Sequence, residues 1–256
     1  MVEDPNSTAE KIGELISQDP ALTVRVLSIA NSPFYGYSSE VGTISRAVTV
    51  LGTRQIRDLV MSMAATKAFD GIPNDIISID DFWYHSIYCG LLAHELGGCL
   101  NRIEREAIFI SGLLHDVGQL VMFSKLPEQS NQAILRTMQA ENPLPLYLAE
   151  REILGVDHEE IGGELAKVWK LPEHIYACIA FHHRPTEATS HQQEVAVVHI
   201  ANHIASLPYS TGITEEDLMG IEPKCWEITG LKYEDIVPAA QAAQEKIEAA
   251  RQLYMS

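Results

Sequence analysis

Ten histidines are spread unevenly along 256 residues, and none precedes position 85. Five of them, His85, His115, His158, His182 and His183, fall with Asp116 on or at the ends of separate predicted helices. Helices packed side by side can aim such groups at one point, and imidazole with carboxylate suits Fe, Mn, Zn, Co or Ni better than Ca or Mg. A centre of two divalent cations about 3.5–4 Å apart could use Asp116 as its bridging carboxylate. The adjacent pairs help, because neighbours on a helix point about 100° apart and reach two sides of a bulky site.

The segment Gly112-Leu113-Leu114-His115-Asp116-Val117-Gly118 is the most telling. Two strongly polar residues interrupt an apolar run. Burying them without partners would cost several kcal/mol, roughly 2–7 for a neutral group, so they should be paired or metal-bound. The other histidines read differently. His94, His174 and His191 are expected at the surface or as hydrogen-bonded core residues. His94 lies about half a turn round the helix from His85 and cannot share its site. His199 and His203 are one helical turn apart and could chelate on their own.

The elements that must position these groups are all helices. Ser7-Thr8-Ala9-Glu10 has capping-box spacing, and Asp19-Pro20 places a cap before proline at a first helical position. Asn31-Ser32-Pro33 ends that helix, and Tyr35-Gly36-Tyr37-Ser38 is a loop. Further helices are expected over 43–51, 53–69, 80–96, 104–114, 130–140, 143–154, 158–169, 172–181, 194–206, from Thr214, around Cys225, and over 233–253, with Pro238 inside the last. Gly71-Ile72-Pro73-Asn74 breaks the chain. No strand, repeat or low-complexity linker is evident. The expected architecture is all-α and two-lobed: an N-terminal helical lobe over 1–78, a helical lobe over 79–206 carrying the histidines, and a helical extension over 207–256.

Composition bounds the partners. Thirty-five acidic residues against 18 basic give a net charge of −17, which repels phosphate backbones and argues against nucleic acid. No uncharged apolar run of about 18 residues stands out, so no membrane span is expected. Cys89, Cys99, Cys178 and Cys225 show no disulfide or CxxC spacing, and the acidic N-terminus lacks signal-peptide character; both fit a cytoplasmic protein. Cys89, Cys178, Trp83 and Trp169 read as core residues.

In order, these residues resemble the HDOD family, the HD-related output domain of bacterial signalling proteins, within the HD superfamily. The resemblance spans roughly residues 12–206. It rests on Ile16 to Leu22, Ala30-Asn31-Ser32-Pro33-Phe34-Tyr35-Gly36, Ile44 to Val48 leading to Leu51-Gly52, Phe82-Trp83-Tyr84-His85-Ser86, the His115-Asp116 segment, His158 ahead of Trp169-Lys170-Leu171-Pro172, and His182-His183-Arg184-Pro185. It implies an HD-like helical lobe and a signal-transduction role. It also implies relatives, the HD-GYP phosphodiesterases, that use the matching positions to hold metals and cleave cyclic di-GMP. Eighteen residues precede Asp19, where relatives usually carry a further helix and often a regulatory domain, so the chain reads as a short stand-alone member or a trimmed one.

The departures from the catalytic pattern concern charge. The final aspartate of that pattern aligns with Asn202, a neutral amide and poorer ligand. A lysine three residues after the His-Asp aspartate is Gln119 here, which cannot supply a positive charge to phosphate. Asp81, one turn before His85, could replace the lost carboxylate or simply favour its helix start. Arg184 could contact an anion beside the metals or form a rim salt bridge.

Three readings follow. The first is a non-catalytic signalling module with a retained metal site, acting on a signalling protein partner or a small phosphorylated ligand. The second is a metal-dependent phosphohydrolase in which cation-activated water attacks phosphorus and Asp116 bridges. The third treats the histidines as a metal-free polar core.

Overall fold

The computed structural model describes residues 16–18, 20–31, 41–69, 78–101, 103–140, 142–207 and 212–254. Among them the regular elements are helices, and no strand occurs. The chain divides into two compact units, Met1–Ala68 with Glu245–Ser256, and Phe69–Gln244. The Ser7 capping box, Asp19 as a cap, the Ser32–Ser38 loop and the Gly71–Asn74 break lie outside the described residues.

In the first unit, Pro20–Ala30, Ile44–Leu51 and Thr53–Ala68 pack together around Val26, Ile29, Ala47, Val48, Ile56 and Leu59. Asn31 closes the first helix. Its amide donates to the carbonyls of Leu27 and Val41, both at 2.9 Å, and its Oδ1 accepts the Val41 N–H at 2.6 Å. Thr43 caps the second helix through the Arg46 N–H, and Gly52 ends it at φ +86°, a conformation a side chain would strain.

The second unit holds the histidines. Ile79–Gly98 and Arg105–Leu114 lie against each other, with Gly90 and Gly112 at the contact. A Cβ on Gly112 would come 2.8 Å from the Gly90 Cα. Gln192–Ala205 packs on Ile79–Gly98, Glu173–Phe181 packs on Arg105–Leu114, and His158–Val168 crosses Val117–Lys125. The stretch Arg105–Lys125 has the length and apolarity of a membrane span, at mean hydropathy 1.4, yet 83% of its most apolar window is buried. Core burial accounts for that composition.

Boundaries follow local chemistry. Asp157 caps His158–Val168 by accepting the Glu160 N–H at 2.9 Å, and Gly155 ends Leu146–Leu154 at φ +77°. Pro127 takes a first helical position, so that helix runs Pro127–Met138, starting earlier than expected from Ser130. Thr214 and Asp217 do form the anticipated reciprocal cap, Thr214 N to Asp217 Oδ2 at 2.8 Å and Asp217 N to Thr214 Oγ1 at 3.3 Å. It supports a single 3₁₀ turn, Glu216–Leu218, and no longer helix, because Gly220 lies two residues beyond and a new helix starts at Pro223. Pro223–Thr229 packs on Gln192–Ala205, so the described residues after Ser206, as far as Gln244, cluster with the second unit.

The crossing of His158–Val168 over Val117–Lys125 has no room for a methyl group. A Cβ on Gly118 would fall 2.0 Å from the His158 carbonyl oxygen and 2.7 Å from the Gly162 nitrogen. Both obstacles are backbone and cannot swing away. Gly118→Ala is therefore expected to destabilise the protein by about 1–3 kcal/mol or more, read as a lowered denaturant midpoint at unchanged m-value. Wild-type stability in that variant would show that the crossing tolerates a side chain.

Candidate metal centre

Asp116 is the meeting point. It follows His115 at the junction between Arg105–Leu114 and Val117–Lys125, where backbone at φ −96° and ψ 10° turns both side chains inward. Its side chain is 8% exposed. Oδ2 lies 3.2 Å from His115 Nε2 and 3.7 Å from His85 Nε2. Oδ1 lies 3.3 Å from both His158 Nε2 and His182 Nε2. His183 Nε2 completes that side, 3.1 Å from His158 Nε2. Each carboxylate oxygen thus faces its own set of imidazoles, and the two groups that could hold a cation share Asp116. The six residues singled out from the sequence are brought together.

The ring tautomers sharpen this picture. His115 Nδ1 donates to the Gly112 carbonyl at 2.6 Å, and His182 Nδ1 donates to the Cys178 and Ile179 carbonyls, both at 3.1 Å. His158 Nδ1 donates to Glu150 Oε2 at 2.6 Å. In each neutral ring the remaining lone pair sits on Nε2. With both rings neutral, three lone pairs, those of His158, His182 and Asp116 Oδ1, would converge, with His158 and His182 Nε2 only 3.3 Å apart. Such a convergence is repulsive unless a proton or a cation lies between. His115 Nε2 and Asp116 Oδ1 are fully buried without a hydrogen bond. This donor set fits a divalent transition cation on each side of Asp116.

Taken as side chains alone, the groups sit at conflicting protonation levels. Burial opposes charge on His115, but Asp116 outweighs it and raises that ring well above the ordinary imidazole range. For His158, burial is likewise outweighed by Glu150, which pushes it up to about 9. Burial holds His182 down to about 4 and His183 well below the ordinary value, and it lowers His85. Burial also opposes the Asp116 charge, yet His115 keeps its carboxyl well below the usual range.

Asn202 Oδ1 lies 3.0 Å from His85 Nε2, so the amide stands beside the His85 side of the centre. Asp81 and Gln119 line the adjoining cavity, of about 650 Å³, and Asp81 belongs to neither cation-holding group. Arg184 makes rim contacts: its guanidinium lies 2.9 Å from Glu159 and 3.5 Å from Asp157. His199 and His203 do not chelate. His199 Nδ1 donates to the His182 carbonyl at 2.6 Å while its Nε2 accepts the Glu222 N–H at 3.0 Å, and His203 Nε2 donates to the Asp217 carbonyl at 2.6 Å. His94 is buried against Glu95 and Arg105, and buried His174 faces His191 at 6.0 Å between ring centres. Trp83 is a core residue, whereas Trp169 is half-buried against Phe69.

Three residues beyond the sequence expectation shape the site. Glu150 is buried behind His158. Glu159 Oε1 accepts the His183 N–H at 2.6 Å, and burial pushes its carboxyl up to about 8. Tyr147 stacks on the His183 ring, 4.6 Å between centres and 15° between planes. One signal was available: Glu150 shares a helix face with Leu146, Tyr147, Ile153 and Leu154, which is no place for a solvated acid.

The HDOD domain family matches residues 1–185. An uncharacterized protein from Treponema pallidum (strain Nichols) is 31% identical over 202 residues, 78% of this chain and 39% of that protein. The chain therefore spans well under half of that relative's length. Among solved structures, an HDOD domain protein of unknown function from Geobacter sulfurreducens aligns at TM-score 0.79 and 24% identity, covering 100% of this chain and 89% of its own. A candidate phosphohydrolase from Shewanella amazonensis SB2B aligns at TM-score 0.73 and 27% identity, covering 98% and 90%. The chain belongs to the HDOD family.

Because both halves of the centre lean on one carboxylate, Asp116→Asn should cost more than any single histidine. Elemental analysis of protein purified without chelator is expected to find divalent transition metal in the wild type and at least tenfold less in this variant. Acidification should also release metal, since protons compete for the same imidazole nitrogens. A wild type with no stoichiometric metal would favour the metal-free polar core.

Proposed function

We propose that this chain is a bacterial signal-transduction output module that holds a centre of up to two divalent transition cations and does not turn over phosphate esters. The observation that carries the metal reading is the division of Asp116: one oxygen to His85 and His115, the other to His158 and His182. Fe, Mn, Zn and Ni all suit those donors.

When bound, the cations supply Lewis acidity that can polarise a phosphoryl oxygen. The residues around them do little to complete that chemistry. Asn202 presents a neutral amide to His85 where a carboxylate would add charge and a ligand. Gln119 offers hydrogen bonds but no cation to the cavity, and the walls carry the carboxylates Asp81 and Glu222, which oppose an approaching anion. Arg184 is held by Glu159 and Asp157. Tyr147 stacks over one face of His183. The cavity nevertheless has the volume of a small-molecule site, so a small phosphorylated ligand could be retained there and sensed; a signalling protein partner is the other proposed target.

The two sides are unequal. The Oδ1 side offers three imidazoles, whereas the Oδ2 side offers two and an amide. Titration with Mn²⁺ or Zn²⁺ is expected to show one tight and one weak cation. Asn202→Asp should tighten the weak one by about tenfold, the difference between a neutral and a charged acceptor. Two cations of equal affinity in the wild type would contradict this asymmetry.

The bridging position of Asp116 favours the phosphohydrolase as a second reading, and the Shewanella relative bears a phosphohydrolase name. Protein loaded with Mn²⁺ or Fe²⁺ should show no turnover of cyclic di-GMP, nucleotides or bis-p-nitrophenyl phosphate. Turnover that disappears in Asp116→Ala would overturn the non-catalytic reading.

A further inference from the structure

The helix Leu146–Leu154 contributes no residue to either cation-holding group, yet it aims a buried carboxylate at one that does. Glu150 is 2% exposed. Its Oε2 accepts two hydrogen bonds from a single residue: the His158 ring at Nδ1, 2.6 Å away, and the His158 backbone N–H, 3.0 Å away. One oxygen therefore fixes both the ring and the backbone that carries it. The opposite edge of the ring directs Nε2 toward Asp116 Oδ1, His182 Nε2 and His183 Nε2.

Two other imidazoles of the centre serve as internal comparisons. His115 and His182 rest their Nδ1–H groups on neutral carbonyls, those of Gly112 and of Cys178 and Ile179. A carboxylate draws a ring proton more strongly than a carbonyl does, and it pushes electron density to the far nitrogen. We propose that Glu150 is a positioning residue of the centre: it locks the orientation and tautomer of His158 and makes its Nε2 a stronger donor than those of His115 and His182. This rests on the metal-binding reading above, and it assigns the tight cation to the Oδ1 side of Asp116.

The test is a double-mutant cycle on folded protein, using Co²⁺ with a chelator competitor. The proteins are wild type, Glu150→Gln, His158→Ala and the double variant. Glutamine keeps the size and an oxygen acceptor but removes the charge. Glu150→Gln is expected to weaken the tight cation by about 10–100-fold and to shift the Co²⁺ absorption bands. In the His158→Ala background the same change should cost nothing further, because Glu150 acts through that ring. A purely structural role would instead lower affinity by the same factor in both backgrounds.

A second measurement stands independently of whether the variants fold. In the wild type loaded with diamagnetic Zn²⁺, the His158 Nδ1 proton should resonate downfield of those of His115 and His182. Wild-type affinity in Glu150→Gln, equal losses in both backgrounds, or a His158 proton no further downfield than the others would each overturn this assignment and leave metal binding intact. A wild type that takes up no Co²⁺ would overturn both.

Discussion

One buried anion organises this molecule. Asp116 places two oxygens among the rings of His85, His115, His158 and His182, with His183 completing one side. A carboxylate removed from water needs compensating positive charge, and imidazole alone supplies it only by binding protons. The rings cannot all do so, since protonated neighbours at these distances repel. Nearly every feature around the site can be read as a response to that conflict. Nδ1 protons are led outward to carbonyls and to Glu150, which leaves Nε2 lone pairs facing inward. The inward pole is then suited to a cation more than to further protons.

Backbone packing makes such a convergence available. Gly118 and Gly162 let two helices cross so closely that the His158 carbonyl fills the place a Cβ would need, and that contact brings His158 over Asp116. Gly155 and Asp157 end one helix and start the next within a few residues, which turns Glu150 toward the residue it supports. Arg151 joins this corner by pairing with Asp157 at 2.6 Å and Glu160 at 2.7 Å. The ligand geometry is set by main chain and caps more than by side-chain freedom.

Much of this was legible in the residues themselves. The helices follow apolar spacing and capping signals, and the ligand set stood out because His115 and Asp116 interrupt an apolar run. The rest was hidden for identifiable reasons. Glu159 resembles an ordinary helix acid, and only three-dimensional packing shows that it is dry, whereas Glu150 betrays itself only by the apolar face it shares. His199 and His203 have chelating spacing, but His199 spends both ring nitrogens on backbone groups, a use that spacing cannot reveal. Thr214 and Asp217 make a correct cap, yet a cap starts a helix without deciding its length. The ion pairs of Arg184 are made with carboxylates from another part of the chain, which its position in the sequence does not reveal.

His85, His115 with Asp116, His158, and the pair His182-His183 come from separate elements, so no short peptide of this chain contains the centre. Any ion held there joins segments that are distant along the chain, as a removable staple would, and closes several loops at once. The unfolded polypeptide has no comparable arrangement to offer it. Binding of such an ion would link uptake to folding by mass action and make the melting temperature of the second unit a gauge of its free concentration.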